Sequence, residues 1–157
     1  MQVLGIDPGK RETWYARLQM SELQVLDQWI PSWDLIESAH LDLEPDRPLN
    51  DRLGPTRDQL IEIISAWHPE IVIAERYIVR PGQGRCNNAE SINLFLGLLY
   101  ATCSQLQIPC WMILPSVWKQ WWDRTYSRPW YDHWPQLNVH QADACSIGIY
   151  GYSHFVL

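Results

Sequence analysis

Several features that would sort a chain into a broad class are missing here. No apolar stretch is long enough to span a bilayer. The longest, Ile92 to Cys103, is interrupted by Asn93. The first residues show no basic-then-apolar leader and begin directly on a strand pattern. The expectation is a cytoplasmic protein with no membrane contact. The four cysteines, Cys86, Cys103, Cys110 and Cys145, form no Cys-x-x-Cys pair, so a zinc site is not expected. Cys103, Cys110 and Cys145 lie in apolar surroundings and read as reduced, mostly buried thiols. There is no internal repeat and no low-complexity segment. At 157 residues, 46% hydrophobic and 19% charged, the chain reads as one globular domain, residues 1–157, able to bury a sizeable core.

A positive excess is also missing. The formal net charge of -6 argues mildly against nucleic acid as a partner, but its distribution does not. Ser21 to Glu62 holds ten acids and three bases, whereas Arg76 to Arg128 holds six bases and two acids. A local basic face binds phosphates despite an acidic total. An ordinary uneven surface is the alternative.

Charge and pattern are concentrated in three short stretches. Val3 to Ile6 is an apolar run that ends in Asp7 and stops at the turn signal Pro8-Gly9. Ile71-Val72-Ile73-Ala74-Glu75 is a second run ending in an acid. Val139-His140-Gln141-Ala142-Asp143-Ala144 sets a His and an Asp three apart, on one face of a helix start. An acid at the mouth of a buried strand is costly unless something pairs with it. Asp7 alone could be a turn cap. Asp7, Glu75 and Asp143 together would make a carboxylate cluster of the kind that holds Mg²⁺ or Mn²⁺.

Residues 2–7 read as a strand. Residues 12–19 and 23–30 read as two more, joined by a polar turn at 20–22 and closed by Pro31 in an antiparallel meander. Ser32 to Pro55 reads as a long acidic surface connection with one short helix at Asp34–His40. Thr56-Arg57-Asp58-Gln59 fits a capping box and predicts a helix over 57–67. A strand at Ile71–Glu75 then returns parallel beside the first. A loop at 77–88, a helix at 88–105, a strand at 109–114, a short helix from Pro115, a loop over 123–137 and a last helix at 140–150 complete the chain. Ten residues are Trp, six of them between Trp111 and Trp134. Packing in a core or dimer interface is one use for them. Stacking of unpaired bases beside Arg124 and Arg128 is another.

Four pieces, Gly5-Ile6-Asp7-Pro8-Gly9, Ile73-Ala74-Glu75-Arg76-Tyr77, Asn88-Ala89-Glu90-Ser91 and His140-Gln141-Ala142-Asp143-Ala144, resemble in order and spacing the motifs of the RuvC family of Holliday-junction resolvases, within the RNase H-like nucleases. The resemblance implies an α/β, RNase H-like fold with a mixed five-stranded sheet flanked by helices. It implies a metal-dependent endonuclease that hydrolyses DNA phosphodiesters at branched, four-way junctions, working as a homodimer. It implies two Mg²⁺ (or Mn²⁺) per active site, about 4 Å apart, with Asp7 bridging and Glu75 and Asp143 at the flanks.

Under the resemblance His140 would ligate a metal or orient the attacking water, although a lone His at a helix start can equally serve packing or capping. Lys119 would reach a substrate phosphate near the metals, or else be a solvated helix lysine. Arg76, Arg80 and Arg85 would straddle a DNA backbone. Tyr77 matches a family aromatic that wedges at a branch point; burial accounts for it equally well. Between Lys119 and His140 the chain departs from the family, being short, Trp-rich and poor in lysine. That departure bears on substrate class. A same-fold nuclease acting on another DNA structure or on RNA, and a non-catalytic nucleic-acid-binding module, are the alternatives.

Overall fold

The computed structural model describes residues 1–9, 11–25, 28–44, 46–77, 87–126 and 128–156, the side chains of 23–30, 49, 87 and 88 excepted. The elements are β1 (Gln2–Asp7), β2 (Glu12–Val25), β3 (Gln28–Asp42), α1 (Leu49–Trp67), β4 (Ile71–Glu75), α2 (Asn87–Gln105), β5 (Cys110–Ile113), α3 (Pro115–Thr125), a 3-10 turn (Trp130–His133) and α4 (Val139–Phe155). The five strands form one sheet in the order β3-β2-β1-β4-β5. β1 pairs antiparallel with β2 and parallel with β4, and β4 pairs parallel with β5. This is the mixed, RNase H-like sheet expected from the sequence.

Strand alternation sorts the apolar residues into two cores. On one face Val3, Ala16, Leu18, Ile71 and Ile73 pack under α4 with Trp118, Trp122 and Trp134. On the other Leu4, Ile6, Val72 and Ala74 pack against Leu60 and Ile64 of α1 and Phe95 and Leu99 of α2. Among the described residues, three tryptophans are therefore fully or almost fully buried core side chains. Among the described residues no helix is long and apolar enough to cross a membrane.

Three expectations need correction. First, β2 and β3 are far longer than 12–19 and 23–30, and Asp34–His40 is strand rather than helix, because β3 runs to Asp42. A register shift beside Arg17 and Leu18 explains why the pattern misleads. Leu18 pairs with Leu35 and Arg17 with Glu37, so Ile36 is an extra residue. Trp33 and Leu35 therefore lean on the α4 core while Leu41, of the same parity, enters the other core. A bulge inverts the period-2 signal at that point. Pro31, read as closing the meander, is tolerated inside β3 because β3 is an edge strand. Second, α1 begins at Leu49, not at 57. Thr56 lies inside it rather than capping it, and Pro55 sits on its exposed side, where water can satisfy the carbonyl left without a partner. Third, α3 extends to Thr125 and a 3-10 turn follows, within the stretch read as loop. α4 also runs past the expected 140–150 at both ends.

Candidate functional site

The alternation that builds the cores also aims the acids. Val3, Gly5 and Asp7 share one face of β1, and Ile71, Ile73 and Glu75 share one face of β4. Both are the α4 face. The parallel register pairs Ile6 with Ala74, so Asp7 and Glu75 end neighbouring strands at the same level. The third acid arrives on α4. Gly5 makes this possible: a Cβ there would fall on the Ala144 carbonyl oxygen and lie 2.9 Å from Gly148 N. Helix and strand backbones are thus in direct contact one residue from Asp143. Asn138 starts the helix with a full capping box, its side chain accepting from Gln141 N at 2.9 Å while Gln141 Oε1 accepts from Asn138 N at 3.0 Å. That fixes His140 and Asp143 one turn apart at the sheet's end.

The side chains meet there. His140 Nδ1 lies 2.9 Å from Asp7 Oδ2. Lys119 Nζ lies 3.3 Å from Asp143 Oδ2. Trp118 Nε1 donates to Glu75 Oε2 at 2.8 Å, and Trp130 Nε1 donates to Asp143 Oδ1 at 2.5 Å. Asp7, Glu75, Lys119, His140 and Asp143 thus lie in one site. Asp7 and Asp143 are buried, whereas the His140 side chain is 59% exposed.

Trp118 and Trp130 were not foreseen as polar partners of the acids. The four-residue spacing of Trp118 and Trp122 marks a buried helix stripe. That the indole N–H groups of Trp118 and Trp130 would each find a carboxylate depends on tertiary placement. The rings of Trp118 and Trp130 meet edge to face at 5.3 Å, and the Lys119 ammonium sits over both, 4.8 and 5.1 Å from their centres.

The other expected site residues divide. Arg76 is exposed, its backbone N–H bonded to Ile113 O at 2.7 Å. Tyr77 is half-buried against the α1–α2 core. Arg80 and Arg85 lie outside the described residues.

Burial, chiefly, raises the Asp7 pKa, and the nearby Asp143 charge adds to it; the His140 contact opposes the rise. Burial also pushes Glu75 from 4.5 up to about 7, with the Asp7 and Asp143 charges adding to the effect and the Trp118 N–H opposing it. The Asp143 charge adds to the cost of ionising Asp7 and Glu75, and the Lys119 charge offsets part of it at both. Among the described residues no three His, Cys, Asp or Glu side chains are arranged to enclose a metal ion; the acids lean instead on Trp118, Trp130, Lys119 and His140. The donor chemistry nonetheless suits a hard divalent cation, being carboxylate oxygens and an imidazole with no thiolate.

A stability prediction follows from Glu75. Its pKa is higher folded than unfolded, so between about pH 4.5 and 7 the folded state binds more protons. Without divalent cations, stability should fall as pH rises through that window, by on the order of 3 kcal/mol at most. Urea unfolding in chelator at pH 5 and pH 7.5 measures this, and Glu75→Gln should remove much of the difference. A stability that rises with pH would show Glu75 ionised and well paired.

No protein-family model matches the sequence, and no curated protein matches it. Solved structures do. A RuvC structure from Thermus thermophilus superimposes with a TM-score of 0.77 at 19% identity, covering 99% of this chain and 96% of that one. T. thermophilus RuvC in complex with a Holliday junction substrate gives 0.73 at 18%, covering 99% and 97%. The yeast mitochondrial Holliday junction resolvase Ydc2 gives 0.57 at 15%, covering 94% and 77%. Over nearly its whole length, the chain resembles RuvC in fold.

Proposed function

We propose that the chain is a divalent-metal-dependent endonuclease that hydrolyses DNA phosphodiesters at branched, four-way-junction structures. What supports this is that Asp7, Glu75 and Asp143, from three separate elements, are held at one end of the sheet by His140, Trp118, and Lys119 with Trp130 respectively. The fold shared with RuvC, one structure of which holds a Holliday junction substrate, supports the choice of substrate. Asp7, Glu75 and Asp143 would hold the cation, with His140 at their exposed flank. Such an ion lowers the pKa of a bound water and neutralises charge developing on the phosphate.

The chain's own groups do the rest. Asp7 accepts the hydrogen on His140 Nδ1, assigned from the contact, which leaves the Nε2 lone pair free to take a proton from the attacking water or to ligate the metal. Lys119, held over two indoles, meets the substrate phosphate. Arg76, Arg80 and Arg85 would grip the flanking backbone, and Tyr77 would wedge at the branch point. A junction cut on opposing strands calls for two sites about a two-fold axis, hence a homodimer. The setting is cytoplasmic.

The test is incubation of labelled four-way junction, linear duplex, flap and RNA–DNA hybrid with the protein, with and without Mg²⁺. Cutting of the junction only with Mg²⁺ is expected. Cutting of the hybrid in preference would move the substrate class. Binding without cutting in Mg²⁺ or Mn²⁺ would make the chain a non-catalytic module.

Two variant sets probe the parts. His140→Ala should slow single-turnover cleavage by at least about 10²-fold, with His140→Asp recovering part of the rate. An early-melting His140→Ala that cuts at the wild-type rate would leave His140 a structural residue. Replacing Arg80 and Arg85 by Ala should weaken junction binding and flatten its dependence on log[salt] by about two phosphate contacts. An unchanged slope would place the DNA elsewhere.

A further inference from the structure

We propose that Trp118 and Trp130 are positioning residues for the metal centre: their two indole N–H groups fix the orientation of Glu75 and Asp143 and present the remaining carboxylate lone pairs to a hard cation. The proposal rests on the metal reading above and deepens it.

Trp118 is fully buried and reaches Glu75 across 43 residues of sequence; Trp130 reaches Asp143 from the 3-10 turn. Each takes one oxygen of a different acid. The two rings brace each other edge to face, so neither indole can turn without disturbing the other. An indole N–H suits this task. It donates one hydrogen bond, accepts none and carries no charge. It can therefore hold a carboxylate without competing for the cation and without adding a positive charge that would repel it. The same two rings hold the Lys119 ammonium by their faces, next to Asp143. One pair of side chains thereby orients two acids and the cationic group beside Asp143.

Outer partners of metal-binding carboxylates change affinity by about 10- to 100-fold when lost. Trp118→Phe and Trp130→Phe keep an aromatic ring for packing and for Lys119 but delete the N–H. Trp122 supplies the control. It belongs to the same aromatic layer and is fully buried, and its Nε1 has no hydrogen-bond partner among the described residues. Deleting an unpaired buried N–H is close to neutral.

The experiment is titration of Mn²⁺ into the full chain and the three variants, by calorimetry without DNA, with melting temperatures recorded alongside. Trp118→Phe and Trp130→Phe should each weaken Mn²⁺ binding about 10-fold or more while remaining folded. Trp122→Phe should bind Mn²⁺ like the wild type, whatever its melting temperature. Wild-type affinity in both test variants overturns the positioning role and leaves the metal reading standing. Equal weakening in all three assigns the effect to ring packing and overturns it as well. A wild-type chain that binds no Mn²⁺ takes down the metal reading, and this role with it.

Discussion

Asp7→Asn should reduce junction cleavage by at least about 10²-fold, a loss of roughly 2.7 kcal/mol or more of barrier lowering, while leaving the protein folded and as stable as before or more so. The two halves come from the same geometry. Asp7 is buried at the end of β1, its charge is disfavoured by burial, and the Asp143 charge adds to the strain. Replacing it with a neutral side chain of nearly equal size removes that repulsion, so in chelator at neutral pH the melting temperature should hold or rise. The amide can still accept from His140 Nδ1. It cannot supply the negative charge a divalent cation needs from a central ligand. Single-turnover cleavage and thermal melting on one preparation check both halves. Full activity in the variant would show that Asp7 holds no metal. Loss of activity together with early melting would show a structural acid instead.

Gly5→Ala should be among the most damaging single-methyl changes in the chain. The added carbon would overlap the Ala144 carbonyl oxygen and crowd Gly148 N at 2.9 Å. Both are backbone atoms in the middle of α4, with no flexible side chain to give way. Overpacking of this kind costs about 3 kcal/mol, or about 10 °C in melting temperature for a domain of this size. The same shift would carry Asp143 and His140 away from Asp7, so whatever fraction folds should cut slowly and bind Mn²⁺ weakly. Differential scanning calorimetry with Mn²⁺ titration of the folded fraction measures both effects. A variant that melts and binds like the wild type would mean α4 stands further from β1 than the backbone contact implies.

How much of this was legible beforehand depended on the range of the physics involved. β1 and β4 are short buried runs that end in Asp7 and Glu75, and the helix spacing of His140 and Asp143 puts both on one face of α4. Those signals are local and picked out the acids; that the acids share one end of the sheet depends on the parallel register of β1 and β4 and on α4 lying against Gly5. β3 was not legible because the extra residue at Ile36 inverts the alternation midway, leaving Asp34–His40 with no consistent period. The early start of α1 was hidden by Pro55, which reads as a boundary but stands on the outer side of a helix. The indole contacts to Glu75 and Asp143 join residues 43 and 13 apart through packing of α3 and the 3-10 turn, and no periodicity encodes such a meeting. The short Trp-rich segment reads as a departure in sequence; in the fold it supplies Trp130 to the site and Trp134 to the core.

The most direct test of the central claim is to grow crystals in Mn²⁺ and locate the metal by its anomalous scattering. Strong peaks among Asp7, Glu75 and Asp143, with His140 at their edge and no peak in Asp7→Asn crystals, are what this account predicts. Mn²⁺ at millimolar concentration that leaves those carboxylates bare, or collects only at other surface acids, would contradict it.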